Sequence, residues 1–108
     1  KNEEDGIWVS DYSSVRWEDY IPSDSELVVD YWQPLPEDPG SSAGIEIYYS
    51  PKNDEFYLRS WTHQYATNTG SRVKILTKEE VVDLIIDEQL VEELTEEWQK
   101  RLGFDEEV

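Results

Sequence analysis

The sequence predicts an α+β domain: an antiparallel β-sheet led by a meander over residues 45–76, with C-terminal helices packed on one face. Three observations predict it. Two runs rich in strand formers flank a turn at residues 50–54. A third alternating run follows at residues 72–76, and from Thr77 the apolar period lengthens from two residues to that of a helix. Strands first and helices afterwards is the order of an α+β chain rather than of a parallel α/β one.

In chain order, Ile7-Trp8-Val9-Ser10 reads as a short strand. Residues 13–21 read as a short helix opened by Ser13 or Ser14, or as a strand through Val15-Arg16-Trp17, and Pro22 ends either one. Glu26 to Trp32 is a strand. Residues 34–44 hold three Pro and two Gly, which forbid regular structure, so this stretch reads as an exposed loop inside one domain spanning residues 1–108. Ile45 to Tyr49 and Glu55 to Trp61 then form a hairpin, because Ser50-Pro51-Lys52-Asn53-Asp54 has turn chemistry. A second turn is expected at Thr67 to Ser71, and a third strand of the meander at Arg72 to Leu76. Alternation puts Ile45, Ile47, Phe56, Leu58, Val73 and Ile75 on one buried face.

Thr77 and Glu80 make a capping box, and Gly103 is a stop signal preceded by Lys100 and Arg101. Nothing between them interrupts a helix, but the angular pattern does. At about 100° per residue, Glu79, Glu80, Asp83 and Asp87 lie opposite Val81, Val82 and Ile85. Beyond residue 88 the faces exchange: Leu90, Val91, Leu94, Trp98 and Leu102 fall where the acids were. The exchange predicts a break near Asp87 to Gln89 and two helices. The alternative is one continuous helix sandwiched between two layers.

Composition then bounds the function. The chain carries 26 Asp and Glu against 9 Lys and Arg, a formal charge of -17 in 108 residues. Five Trp, seven Tyr and two Phe supply core-forming area and argue against wholesale disorder. Binding to phosphates or anionic lipid needs Lys and Arg in excess, so direct nucleic-acid and membrane partners are not expected. No Cys is present, which removes disulfides and thiolate metal sites and suits a cytoplasmic location. Both halves are acidic, so the negative charge belongs to the surface of the fold rather than to a tail.

Motifs for catalysis are missing. Glu79/Asp83 and Glu92/Glu96 sit one helical turn apart, yet they occupy polar helix faces where solvated carboxylates are the plainer reading. His63 is the single histidine, and no nucleophile elbow or phosphate-cradling Gly motif accompanies it. The expectation is a protein that is not an enzyme, with no catalytic residues, cofactor or metal.

Binding chemistry is better represented. Alternation turns Tyr48, Tyr57 and Trp61 away from the main core together with Arg59, and sets Trp8 and Trp32 opposite their strands' inward sides. Tyr, Trp and Arg are enriched at binding hot spots. Either the N-terminal half covers these rings as a second layer, or they form a contact patch. The acids offer a second surface. Carboxylates at i and i+4 rise about 6 Å per step along a helix, close to the advance of two phosphates at about 3.4 Å each. Such rows can occupy a nucleic-acid groove on another protein.

In size, charge, aromatic content and lack of catalytic motifs the chain resembles the small acidic anti-defence proteins of phages and mobile elements, the anti-CRISPR and DNA-mimic anti-restriction proteins. The likeness is one of overall type, since those families share no common motif. It implies an inhibitor whose partner is a basic, nucleic-acid-handling enzyme. The contacts would be Asp83, Asp87, Glu88, Glu92, Glu93, Glu96 and Glu97, with Asp30, Glu37 and Asp38 as a second acidic patch and Tyr48, Tyr57 and Trp61 as aromatic anchors. The alternatives are an immunity or antitoxin protein that neutralises a basic toxin enzyme, and a small enzyme using paired carboxylates.

Overall fold

Five strands, each antiparallel to its neighbours, form a single sheet in a computed structural model that describes residues 6–37, 39–64 and 69–104. They are β1 (Ile7–Ser10), β2 (Glu26–Pro34), β3 (Ser42–Ser50), β4 (Glu55–His63) and β5 (Gly70–Leu76), in the spatial order β1-β5-β4-β3-β2. Strands β2 to β5 are a meander, and β1 adds to its far edge beside β5. Two helices follow, α1 (Lys78–Asp87) and α2 (Glu96–Leu102), with a 3-10 turn at Val91–Glu93 between them. A second 3-10 turn, Trp17–Tyr20, lies between β1 and β2.

The predicted α+β class and the helices on one face are therefore found. The strands are longer than expected: Pro34 belongs to β2 and Ser42 to Gly44 belong to β3, so the Pro- and Gly-rich linker is only the tip of a long hairpin. Pro34 is tolerated because β2 is an edge strand, where a missing N–H costs no ladder bond. Residues 13–21 contain the 3-10 turn, opened by Arg16 rather than by Ser13 or Ser14. Part of the expected turn at Thr67 to Ser71 lies outside the described residues, and Gly70 and Ser71 already belong to β5.

Register decides which side chains share a face. Ile47 pairs with Leu58 and Tyr49 with Phe56, and Phe56 pairs onward with Leu76. These residues face the helices. Their core partners are Val28, Val29, Val81, Ile85, Leu90, Leu94, Trp98 and Leu102. Trp98 anchors the layer, with ring centroids 5.5 Å from Tyr49 and 5.9 Å from Phe56 in edge-on contact, a favoured aromatic geometry. A bulge between Leu27 and Val29 lets both Val28 and Val29 enter this core.

One expectation fails here. Val73 pairs with Arg59, and Ile75 with Tyr57, so both lie on the sheet face away from the helices, Val73 buried and Ile75 58% exposed. The sheet is covered on both faces, and the apolar phase of β5 belongs to the second layer rather than to the helix side. Trp8 lies opposite Val9, the buried residue of its strand, as its alternation predicts; it pairs with Arg72 on the helix side and is 44% exposed.

The helical segment breaks where the faces exchange. Gln89 adopts a left-handed conformation at φ +59. Its N–H bonds to the Ile86 carbonyl, and the Leu90 N–H to that of Ile85. This is a Schellman motif, with buried Leu90 and Ile85 supplying the apolar contact that accompanies it. Helix α2 ends the same way: Gly103 N–H bonds to the Lys100 carbonyl and Phe104 N–H to that of Gln99. At the other ends, the Thr77 hydroxyl accepts from Glu80 N–H at 3.1 Å while Glu80 accepts from Thr77 N–H at 2.8 Å. Thr95 caps α2 by accepting from Trp98 N–H at 3.2 Å.

Candidate functional site

Two surfaces emerge on opposite sides of the sheet. The first is the outer side of the helical layer. Most of its apolar positions are spent on the core, with Ile86 left 55% exposed, and every carboxylate that the sequence singled out there is exposed: Asp83 and Asp87 on α1, Glu88 at its end, Glu92 and Glu93 in the 3-10 turn, and Glu96 and Glu97 in the first turn of α2. Residues 78–102 hold nine acidic and three basic side chains, a net of -6. One of the acids, Glu97, is ion-paired, with Arg101 at 3.7 Å.

The geometry of that row differs from a single helix ladder. Glu79, Asp83 and Asp87 share one side of α1. Glu92 and Glu96, expected one helical turn apart, belong to separate elements with Leu94 and Thr95 between them. The carboxylates therefore form two groups joined at the Gln89 break, not one continuous line. Asp30 and Glu37 are exposed on β2 and in the β2–β3 turn, and Asp38 lies outside the described residues.

The second surface is the sheet face opposite the helices. The segment between β1 and β2 crosses part of it. Asp24 ties that segment to the β3–β4 turn, accepting from Ser50 Oγ and from Lys52 N–H, each at 2.9 Å. These donors hold the Asp24 carboxyl below its usual range, the Lys52 N–H most of all. Trp17 lies over Arg59, whose guanidinium is 4.0 Å from the ring centroid. Arg59 in turn pairs with Glu46 at 3.0 Å and donates from Nε to Ser71 Oγ at 2.9 Å. The Tyr48 hydroxyl donates to Glu46 at 2.7 Å. Burial, and then the Glu46 carboxylate, push the Tyr48 phenol well above its ordinary value.

This arrangement sorts the aromatic candidates. Tyr57 is buried, and its hydroxyl donates to Glu55 at 2.7 Å, so its ring packs the second layer. Tyr48 is half-buried, with Trp17 6.3 Å away. Trp61 is also half-buried and lies 5.9 Å from the Arg59 guanidinium. Trp32, on edge strand β2, is 57% exposed. The N-terminal segment thus covers the middle of this face and leaves its β2 edge open.

Two concave regions border the second layer. A groove of about 780 Å³ runs between Tyr20 and the β1–β5 edge, with Ile7, Val73 and Ile75 in its wall. A smaller polar one of about 430 Å³ has Glu46, Arg59, Trp61 and His63 around it, and its half-buried carboxylate is already neutralised by Arg59. Among the described residues no group of three or more His, Asp or Glu is placed to hold a metal ion, and no helix is long and apolar enough to cross a membrane.

No family model matches the chain, and neither the curated proteins nor the solved structures contain a match to it. Sequence reasoning missed Trp17, Ser50 and Asp24 as organising residues. Each acts across a separation that no periodicity encodes.

Proposed function

We propose that this chain is a non-enzymatic acidic inhibitor that occupies the basic nucleic-acid-binding surface of a nucleic-acid-handling protein such as a nuclease, a CRISPR effector or a restriction enzyme. One observation carries the reading. Seven carboxylates from Asp83 to Glu97 stand exposed on one layer of the molecule, and among the described residues a single cation, Arg101, is paired to them. A solubilising charge needs a magnitude of roughly 2–8 on a small domain, and this chain has -17. Residues 78–102 alone carry a net of -6, and like charge gathered on that layer works against folding. That cost is offset if the layer meets a basic groove.

The carboxylates stand in for phosphates. Glu79, Asp83 and Asp87 repeat at about 6 Å along α1, near the advance of two nucleotides. The break at Gln89 then redirects the row, as a curved groove requires. Release of counterions from both partners makes such binding salt-dependent.

Affinity capture on purified basic nucleases and effectors tests the reading, with duplex DNA as competitor. The expected result is a complex that duplex displaces and that weakens steeply between about 50 and 500 mM salt. Binding indifferent to salt, or undisturbed by duplex, overturns it. Capture of a toxin enzyme whose nucleic-acid site stays open supports the immunity-protein reading in its place.

A further inference from the structure

We propose that Asp30 and Trp32, on the open face of edge strand β2, form a receptor for an arginine side chain of the partner. The inference rests on the reading of that partner as a basic protein, and it names the side chain the partner contributes.

The charges point to a vacancy. Asp30 and Glu46 are register partners on one sheet face, which sets their Cβ atoms about 5 Å apart. Like charges directly opposite one another destabilise a sheet. Arg59, the next residue in the same row, neutralises Glu46 at 3.0 Å. Among the described residues no cation pairs with Asp30, which is exposed. One row thus holds two carboxylates and one internal arginine.

The molecule also displays what fills such a position. Arg59 stacks 4.0 Å from the centroid of Trp17 and pairs with Glu46. Arg101 stacks 3.9 Å from the centroid of Trp98 and pairs with Glu26 and Glu97, each at 3.7 Å. Both arginines combine an indole with a carboxylate. Asp30 and Trp32 repeat those two components, two residues apart on one strand face, a separation of about 7 Å. Here the arginine is absent and Trp32 is 57% exposed. Gly44, the register partner of Trp32, enlarges the platform. A Cβ there would meet Trp32 Cβ and Trp61 Cζ2 at 2.7 Å each, so only glycine lets the Trp61 ring lean across β3 toward Trp32. A guanidinium can lie flat on an indole and fork onto a carboxylate at once, whereas a lysine ammonium is a strongly hydrated point charge. A nucleobase would bring phosphates toward Asp30 and Glu46, and a second copy would bring another -17.

The test follows the indole N–H resonances of the ¹⁵N-labelled chain, with Trp32 assigned by Trp32→Phe, during titration with a hexa-arginine peptide at 150 mM salt. The Trp32 resonance is expected to shift saturably. Hexa-lysine should bind three- to tenfold more weakly at that site, and Asp30→Asn should weaken the arginine peptide by a similar factor. Replacing Glu92, Glu93, Glu96 and Glu97 by Gln should change the affinity read at Trp32 less than Asp30→Asn does. A stationary Trp32 resonance while the peptide binds elsewhere overturns the proposal, as does equal response to lysine or indifference to Asp30→Asn. A Trp32 shift driven by duplex DNA, or by protein concentration alone, assigns the surface to nucleic acid or to a second copy and overturns it too. Duplex competition in the nuclease assay is read independently, so the inhibitor reading and the arginine receptor fail separately.

Discussion

The Arg59 guanidinium lies 4.0 Å from the ring centroid of Trp17 and joins the N-terminal segment to the centre of the sheet. Three further contacts depend on where that arginine sits: its ion pair with Glu46, its bond to Ser71 Oγ, and through Glu46 the Tyr48 hydroxyl. Trp17→Ala is expected to remove the lid from this network and lower stability by about 2 kcal/mol, from lost stacking and lost burial together. Urea denaturation measures it. A loss within a few tenths of a kcal/mol would mean that the second layer is held by Asp24 alone.

The tyrosines give the fold an alkaline limit. Burial raises the phenols of Tyr48 and Tyr57, and the hydrogen bond to Asp54 raises that of Tyr49. A group whose folded value is raised keeps its contribution in full below the unfolded value, about 10 for tyrosine, and loses it as pH rises toward the folded one. Stability is therefore expected to fall above about pH 10, and Tyr48→Phe should flatten part of that fall. Denaturant midpoints measured from pH 8 to 11 check the slope.

Asp24 acts at the other end of the scale. Its carboxyl is held down by donors from Lys52 and Ser50, so its contribution is present above the ordinary carboxylate value and is lost as pH falls through the lowered one. Asp24→Ala should destabilise the chain at pH 7, and the gap to the parent should close as pH drops below about 4. A gap that persists at pH 2 would show that the residue acts by packing rather than by charge.

Local grammar was legible where one element decided the outcome. The Thr77 and Glu80 pair, the Gly103 stop and the Ser50 to Asp54 turn depend on neighbours within five residues, and each is found. The helix break was legible because the buried stripe has to exchange sides, from Val81 and Ile85 to Leu94, Trp98 and Leu102. The phase of β5 was not. Val73 is 4% exposed because the N-terminal segment covers it, while Leu76 meets Phe56 on the helix side. The phase of β5 turned to the helices is Arg72, Lys74 and Leu76, while the more apolar phase of Val73 and Ile75 faces the second layer, so apolar alternation alone points to the wrong side. On the acidic layer, exposure could be read from the sequence. The separation of Glu92 from Glu96 could not, because it follows from the turn at Val91–Glu93.

Gln89 sits at the left-handed position that glycine fills at the end of α2. A non-glycine residue there costs about 1–2 kcal/mol in backbone strain, of which glycine would return roughly 0.5–1 kcal/mol to the unfolded chain's freedom. Gln89→Gly is expected to stabilise the protein by about 0.5–1 kcal/mol. Its side chain is exposed, so no packing is lost. A thermal melt that moves downward would place an unrecognised contact on Gln89.

The two helices treat their dipoles differently, and the difference bears on the acidic layer. Helix α2 carries Glu96 and Glu97 in its first turn and Lys100 and Arg101 in its last, each on the favourable side. Helix α1 has acids in its first turn, but it ends on Asp87 and Glu88 with no basic residue in its last turn. Carboxylates at a helix C-terminus oppose the dipole by about 0.3–1 kcal/mol each. Placement for stability alone would put lysine there, as α2 does. Replacing Asp87 and Glu88 by Lys is therefore expected to raise stability by about 1–2 kcal/mol at low ionic strength, with the gain shrinking as salt shortens the screening length to about 3 Å at 1 M. If the layer is the contact surface, the same double variant should lose capture of the basic partner while melting at a higher temperature. Higher stability with undiminished capture would move the contact away from α1, and lower stability would mean that Asp87 and Glu88 are held by interactions beyond the dipole.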